Sequence, residues 1–147
     1  MAEIVKATGF TPQSYVSSTP IPGVSLATKQ PGAEHTITGL FAGETIAAGD
    51  CCYIKASDGK LYRSTGAAAN AAAQVDGWAA ENCTAGEALT LYKSVNFNYS
   101  ANLLVPGTSY YVSGTVAGGI ADAASTGGTV AVARSIDGYR LFVKTSY

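Results

Sequence analysis

From about Thr36 onward, apolar and polar positions alternate in short runs, and glycines interrupt the runs every several residues. Runs of this length, rich in Val, Ile, Tyr and Thr, read as half-buried β-strands. Asp58-Gly59 lies between Cys52-Tyr53-Ile54-Lys55 and Leu61-Tyr62-Arg63, and Asp137-Gly138 lies between runs at residues 130–134 and 139–143. Each predicts a hairpin, because glycine accepts the positive φ of a tight turn. Thr84-Ala85-Gly86-Glu87 separates residues 78–83 from 88–92 in the same way. The pattern predicts an all-β fold, a compact β-barrel or β-sandwich.

One strand pattern occurs twice. Ile46-Ala-Ala-Gly49-Asp-Cys-Cys-Tyr53-Ile54 aligns with Leu104-Val-Pro-Gly107-Thr-Ser-Tyr-Tyr111-Val112 at a constant offset of 58 residues. Each segment leads to a second strand, Lys60-Leu61-Tyr62-Arg63 in one copy and Gly119-Ile120-Ala121-Asp122 in the other, and then to a further hairpin. The offset drifts to 51 where Leu91-Tyr92-Lys93 is set against Phe142-Val143-Lys144. Internal duplication is the expectation; convergent strand-and-turn composition is the competing account.

Three stretches lack this pattern. Residues 65–75 carry an alanine cluster but no stripe of large apolar side chains, so they read as a flexible loop or a single helical turn. Residues 117–128, rich in Gly, Ala and Ser, read as a mobile loop around one short strand. Residues 1–35 hold four of the five prolines, and Pro20-Ile21-Pro22-Gly23 forbids a helix and disfavours a central strand. Their apolar side chains follow no clean period. They read as an extended N-terminal arm ahead of a single β domain at residues 36–147, or as an edge strand with a loop.

Composition narrows the chemistry. Only 13% of the 147 residues are charged, against about 25% in average soluble chains, and the net charge is −1. No basic cluster exists to displace counterions from phosphates, so no nucleic-acid partner is expected. No stretch is long and apolar enough for a membrane span, and the start shows no signal-peptide pattern. The three cysteines are Cys51, Cys52 and Cys83. The first two are adjacent on a predicted strand and therefore point to opposite faces, so they read as buried thiols rather than as metal ligands or a disulfide framework. The one histidine, His35, precedes the first core strand, and neither a nucleophile elbow nor a phosphate loop occurs. Asp58 and Asp137 are accounted for by their turns. Tyr53, Tyr62, Tyr92, Tyr110, Tyr111 and Tyr139 fall on predicted strands, and Trp78, the single tryptophan, reads as core. No catalytic residue, metal or cofactor is expected.

The phrase Ala42-Gly43-Glu44-Thr45-Ile46-Ala47-Ala48-Gly49-Asp50-Cys51-Cys52-Tyr53-Ile54, followed by Asp58-Gly59-Lys60-Leu61-Tyr62, is the first of several segments in a characteristic order. Val75-Asp76-Gly77-Trp78-Ala79 and Ala85-Gly86-Glu87-Ala88-Leu89 come next, and a Gly-flanked tyrosine segment at residues 107–114 follows. In that order they resemble the capsid decoration, or cement, proteins of bacteriophage heads, over about residues 40–147. The resemblance implies a small β domain on the outer face of the virion capsid, often a homotrimer, made in the host cytoplasm. Such a domain braces the joints between subunits of the major capsid protein. Residues 1–35 depart from that family, whose members enter the first core strand sooner. On this reading the arm supplies partner contacts through Ile4, Val5, Phe10, Pro12, Tyr15, Val16, Pro20, Ile21 and Pro22. A phage tail, fibre or baseplate module is the alternative, and a carbohydrate-binding module using exposed Tyr or Trp78 is a further one.

Overall fold

The structure is a computed structural model that describes residues 32–147. These residues form two antiparallel sheets of five strands. The first contains β1 (Thr36–Phe41), β2 (Cys51–Ile54), β3 (Leu61–Arg63), β4 (Gly77–Ala79) and β5 (Ala88–Tyr92), in the spatial order β1-β5-β4-β2-β3. The second contains β6 (Val95–Asn98), β7 (Ser109–Val112), β8 (Ile120–Ala121), β9 (Ala133–Ser135) and β10 (Arg140–Val143), in the order β6-β10-β9-β7-β8. The orders are the same when β1–β5 are replaced by β6–β10. Both sheets are open, so the fold is a two-sheet module and not a closed barrel.

The duplication extends to individual hydrogen bonds. The Asp50 amide donates to the Ala47 carbonyl and the Gly49 amide to Ala79; the Thr108 amide donates to Val105 and the Gly107 amide to Ser135. Gly49 and Gly107 share the same role, with φ of +93° and +75°. A side chain there would force the left-handed conformation that L-residues rarely adopt. Across the strands, Cys51 faces Trp78 and Ala79 faces Leu91, while Ser109 faces Arg134 and Ser135 faces Leu141.

This register corrects the final offset. Leu91 corresponds to Leu141 and not to Phe142. Leu91 and Leu141 are both fully buried, whereas Phe142 is 40% exposed. A slip of one residue reverses every side chain of a strand, so burial decides between the two alignments.

Each copy closes a small core at matching positions. Ile37, Ile46, Cys52, Leu61 and Leu91 pack together in the first, and Phe97, Leu104, Tyr110, Ile120 and Leu141 in the second. The copies join because the first sheet is apolar on its other face too: Cys51, Val75 and Trp78 enter the second core beside Val112, Val132 and Val143. The Trp78 indole donates to the Lys144 carbonyl at 3.0 Å and meets the Tyr99 ring edge-on, with centroids 6.4 Å apart. Adjacent Cys51 and Cys52 thus serve two different cores, as strand alternation demands.

Two loop readings sharpen. The alanine cluster contributes one 3₁₀ turn, Ala71–Ala73, whose first turn is capped by Asn70 Oδ1 accepting from the Ala72 amide at 3.0 Å. The loop around β8 is hydrogen-bonded to its surroundings. Ser125 Oγ donates to the Val112 carbonyl at 2.8 Å, and the Gly127 amide donates to Gly66 at 2.8 Å. A Cβ on Gly127 would run into the Ala68 backbone, so glycine here permits close packing of the two small-residue loops. Gly138 also differs from expectation: its φ is not positive, and a Cβ there would strike the Asn102 side chain.

Candidate interaction surface

The reactive side chains are placed for structure. All three cysteines are buried and free. Burial pushes the Cys51 thiol up to about 12, and the neighbouring Asp50 carboxylate adds to the shift. Cys52 and Cys83 are raised chiefly by burial as well. Thiols held protonated in this way are poor nucleophiles and poor metal ligands. Among the described residues, no three His, Cys, Asp or Glu side chains stand close enough to hold a metal ion. His35 lies at the entrance to β1, half exposed, with Nε2 3.4 Å from Glu34.

Several carboxylates bind their own surroundings. Asp137 Oδ1 accepts the Tyr139 and Arg140 amides at 2.8 Å each, and Oδ2 pairs with the Arg140 guanidinium at 2.8 Å. These donors hold its carboxyl below the usual range, the Tyr139 amide most strongly. Asp58 accepts the Lys60 amide at 3.0 Å and the Tyr62 hydroxyl at 2.7 Å and is lowered for the same reason. Glu44 pairs with Arg63 at 3.1 Å and takes its amide at 2.8 Å. Asp50 shifts the other way: partial burial raises it, against the Ala47 amide that lowers it.

Among the aromatic rings, Tyr139 and Tyr147 are exposed, at 52% and 78%, while two others are covered. Trp78 is fully buried, so it offers no face to a sugar. Tyr62 is tilted against Tyr53 and covered by Lys55 Nζ, 4.7 Å above its ring. A shallow hollow of about 390 Å³ lies between the two small-residue loops and the C-terminal segment, lined by Asn70, Gln74, Val130, Val132 and Ser146 among others. It gathers no ionisable side chain.

The sequence-derived contact residues Ile4, Val5, Phe10, Pro12, Tyr15, Val16, Pro20, Ile21 and Pro22 lie outside the described residues. Phe41, Val116, Val130 and Tyr147 are among the exposed large apolar residues, and four more come from two hydrogen-bonded segments at one end of the second sheet. Leu103 is 81% exposed, Val105 62%, Tyr139 52% and Ile136 41%. Two segments carry them and are hydrogen-bonded together: the Leu104 amide donates to Gly138 at 3.2 Å, Gly107 to Ser135 at 2.9 Å and Tyr99 to Tyr139 at 2.8 Å. Leu104 turns into the core while Leu103 and Val105, on either side of it, stay outside. The alignment of the two copies contained the signal for this end, because Leu103 and Val105 stand opposite Thr45 and Ala47.

Comparison with known proteins finds no matching family model, no matching curated protein and no matching solved structure. What the chain shows by itself is a class: an internally duplicated, all-β two-sheet module whose three cysteines lie in its cores.

Proposed function

We propose that the chain is a structural capsid decoration (cement) protein. On this reading it binds the outer surface of an assembled phage head and stabilises it by bridging subunits of the major capsid protein. The observation that carries the reading is the ordered series of segments from residues 42–54 to residues 107–114 that resembles that family. A duplicated β module of low charge, with its thiols buried in its own cores, suits a role of contact alone. The energetics need no chemistry: a partner that binds only the assembled shell stabilises it by mass action, about 2.7 kcal/mol per site at a hundredfold excess over Kd.

In this proposal residues 1–35 lie across capsid or neighbouring cement subunits and order on binding, giving contact area at a cost in conformational entropy. The experiment mixes purified protein with heads that lack it, pellets them, and measures occupancy and the temperature of DNA release. Saturable binding with a raised release temperature is expected. No binding to heads, with recovery in the tail fraction instead, would replace this reading with the tail or baseplate alternative. Removing residues 2–30 is expected to lower occupancy, and undiminished binding would dismiss the role given to the arm.

A further inference from the structure

We infer that the apolar end of the second sheet, formed by Leu103, Val105, Ile136 and Tyr139, is a docking surface for an apolar patch on the protein shell. This rests on the function proposed above and names the face of the β domain that makes the contact.

The duplication provides an internal control. The register places Thr45, Ala47 and Ala80 where the second copy has Leu103, Val105 and Ile136, and all six positions are exposed. The same turn, with the same amide-to-carbonyl bonds, is therefore built equally well with small or polar residues. Nothing in the fold requires the larger apolar side chains. Tyr139 takes the position of Leu89, which is 2% exposed in the first copy, while Tyr139 is 52% exposed. The other free face of the second copy changes in the opposite direction. Trp78 and Cys51 of the buried joint are replaced there by Arg134 and Ser109, which makes that face compatible with water. Water-facing surfaces of the second copy were polarised at one place and made more apolar at another, so the apolar end is not a general drift of composition.

Area and charge select the occupant. The four exposed side chains present on the order of 400 Å², within the range of the largest apolar patch on a soluble monomer, which is often functional. Two copies meeting through it would bury about 800 Å² in total, below the roughly 1,200 Å² of a stable pairwise interface. A second copy in solution is therefore a poor occupant. A shell presenting many equivalent sites, engaged together with the arm, gains by effective concentration what one patch lacks. Beside the patch Asp137 and Arg140 pair at 2.8 Å, while the Arg134 guanidinium lies at its margin, 3.7 Å from where a Gly107 Cβ would stand, so the complementary surface is apolar and places no cation against Arg134.

The test replaces the patch with residues that the fold already accepts in the matching turn: Leu103→Thr, Val105→Ala and Ile136→Ala together. Thermal unfolding confirms the variant is folded, and occupancy on heads lacking the protein is measured for variant and wild type. At least about a tenfold loss of affinity with an unchanged melting temperature is expected. Equal affinity of variant and wild type would overturn the inference and leave the proposed function standing. If the wild type itself does not bind heads, the proposed function fails and the inference falls with it. Sedimentation of the free proteins covers the other occupant: self-association of the wild type that the variant lacks would assign the patch to a second copy instead.

Discussion

Trp78 is the joint between the two copies, and Trp78→Phe measures what the joint contributes. Phenylalanine keeps the ring plane and most of the contact with Val112, Val132 and Val143, which share the Trp78 core. It loses two buried ring carbons, worth about 1.5 kcal/mol at 0.8 kcal/mol per buried carbon. It also leaves the Lys144 carbonyl, now served by the indole N–H at 3.0 Å, without that donor. That group is partly buried, so its loss sits at the low end of the usual penalty, about 1 kcal/mol. The expected destabilisation is about 2.5 kcal/mol, a large share of the 5–15 kcal/mol typical of a domain, and a melting temperature lower by roughly 10 °C. Urea unfolding followed by far-ultraviolet circular dichroism is the suitable assay, because the substitution removes the chain's single tryptophan. The midpoint should fall with the slope unchanged, which marks a loss of stability and not a change in the unfolded state. A loss below about 0.5 kcal/mol, within the range of ordinary surface substitutions, would refute the claim that Trp78 couples the copies. So would two separate transitions in the wild type, which would mean the cores unfold independently.

Gly49→Ala and Gly107→Ala should each cost about 1–2 kcal/mol, the penalty for a side chain in the left-handed region. Gly49→Ala should cost more, since its Cβ would meet the Tyr99 ring at 3.4 Å while that of Gly107 meets only Arg134 at 3.7 Å; equal stability of either variant with wild type in urea titrations would count against a shared turn. Cys51 and Cys52 should resist a thiol reagent such as 5,5′-dithiobis(2-nitrobenzoic acid) in the native protein and react on unfolding, because both are fully buried and Cys51 is held as a thiol up to about 12; rapid native labelling would disprove their placement in the cores. Asp137 is held below its ordinary value of 3.8, so its stabilisation is complete above that value and disappears as pH falls through the lowered one. Asp137→Asn should therefore flatten the acid limb of stability measured by urea titration between about pH 5 and about pH 2, and an unaltered limb would exclude the Tyr139 and Arg140 contacts as its cause.

Particular residues show what could be read before the structure. Strand existence was legible wherever a turn residue had a backbone reason to be there, as at Gly49, Gly59 and Gly107, all with positive φ. The opposite orientations of Cys51 and Cys52 followed from the two-residue period alone. The register of the last strand was not legible, because Leu141, Phe142 and Val143 are all apolar and periodicity cannot choose a face in an unbroken apolar run. Packing chooses it, sending Leu141 and Val143 inward and leaving Phe142 at the surface. The apolar end was hidden for a related reason. Leu103, Leu104 and Val105 form another such run, in which periodicity chooses no face; packing sends Leu104 inward and leaves its two neighbours outside. The packing of the loops was not legible because small residues carry no apolar signal, although Gly66, Gly127 and Gly128 pack backbone against backbone.

A duplicated module that packs one copy onto the next has no built-in reason to stop at two. If the second copy had kept an apolar outer face like that of Trp78 and Cys51, another chain could stack on it, and such head-to-tail contacts continue into filaments unless the rotation closes a ring. Arg134 and Ser109 occupy those positions, so the stack ends with a polar face, the same device that caps the terminal units of repeat proteins. Phe142, opposite Arg134 across the strands, remains 40% exposed and marks where the apolar face was interrupted rather than fully replaced. The consequence for assembly is specific. On the second copy no face repeats the Trp78 and Cys51 joint, and the end bearing Leu103, Val105 and Ile136 is where the two copies diverge toward greater apolarity.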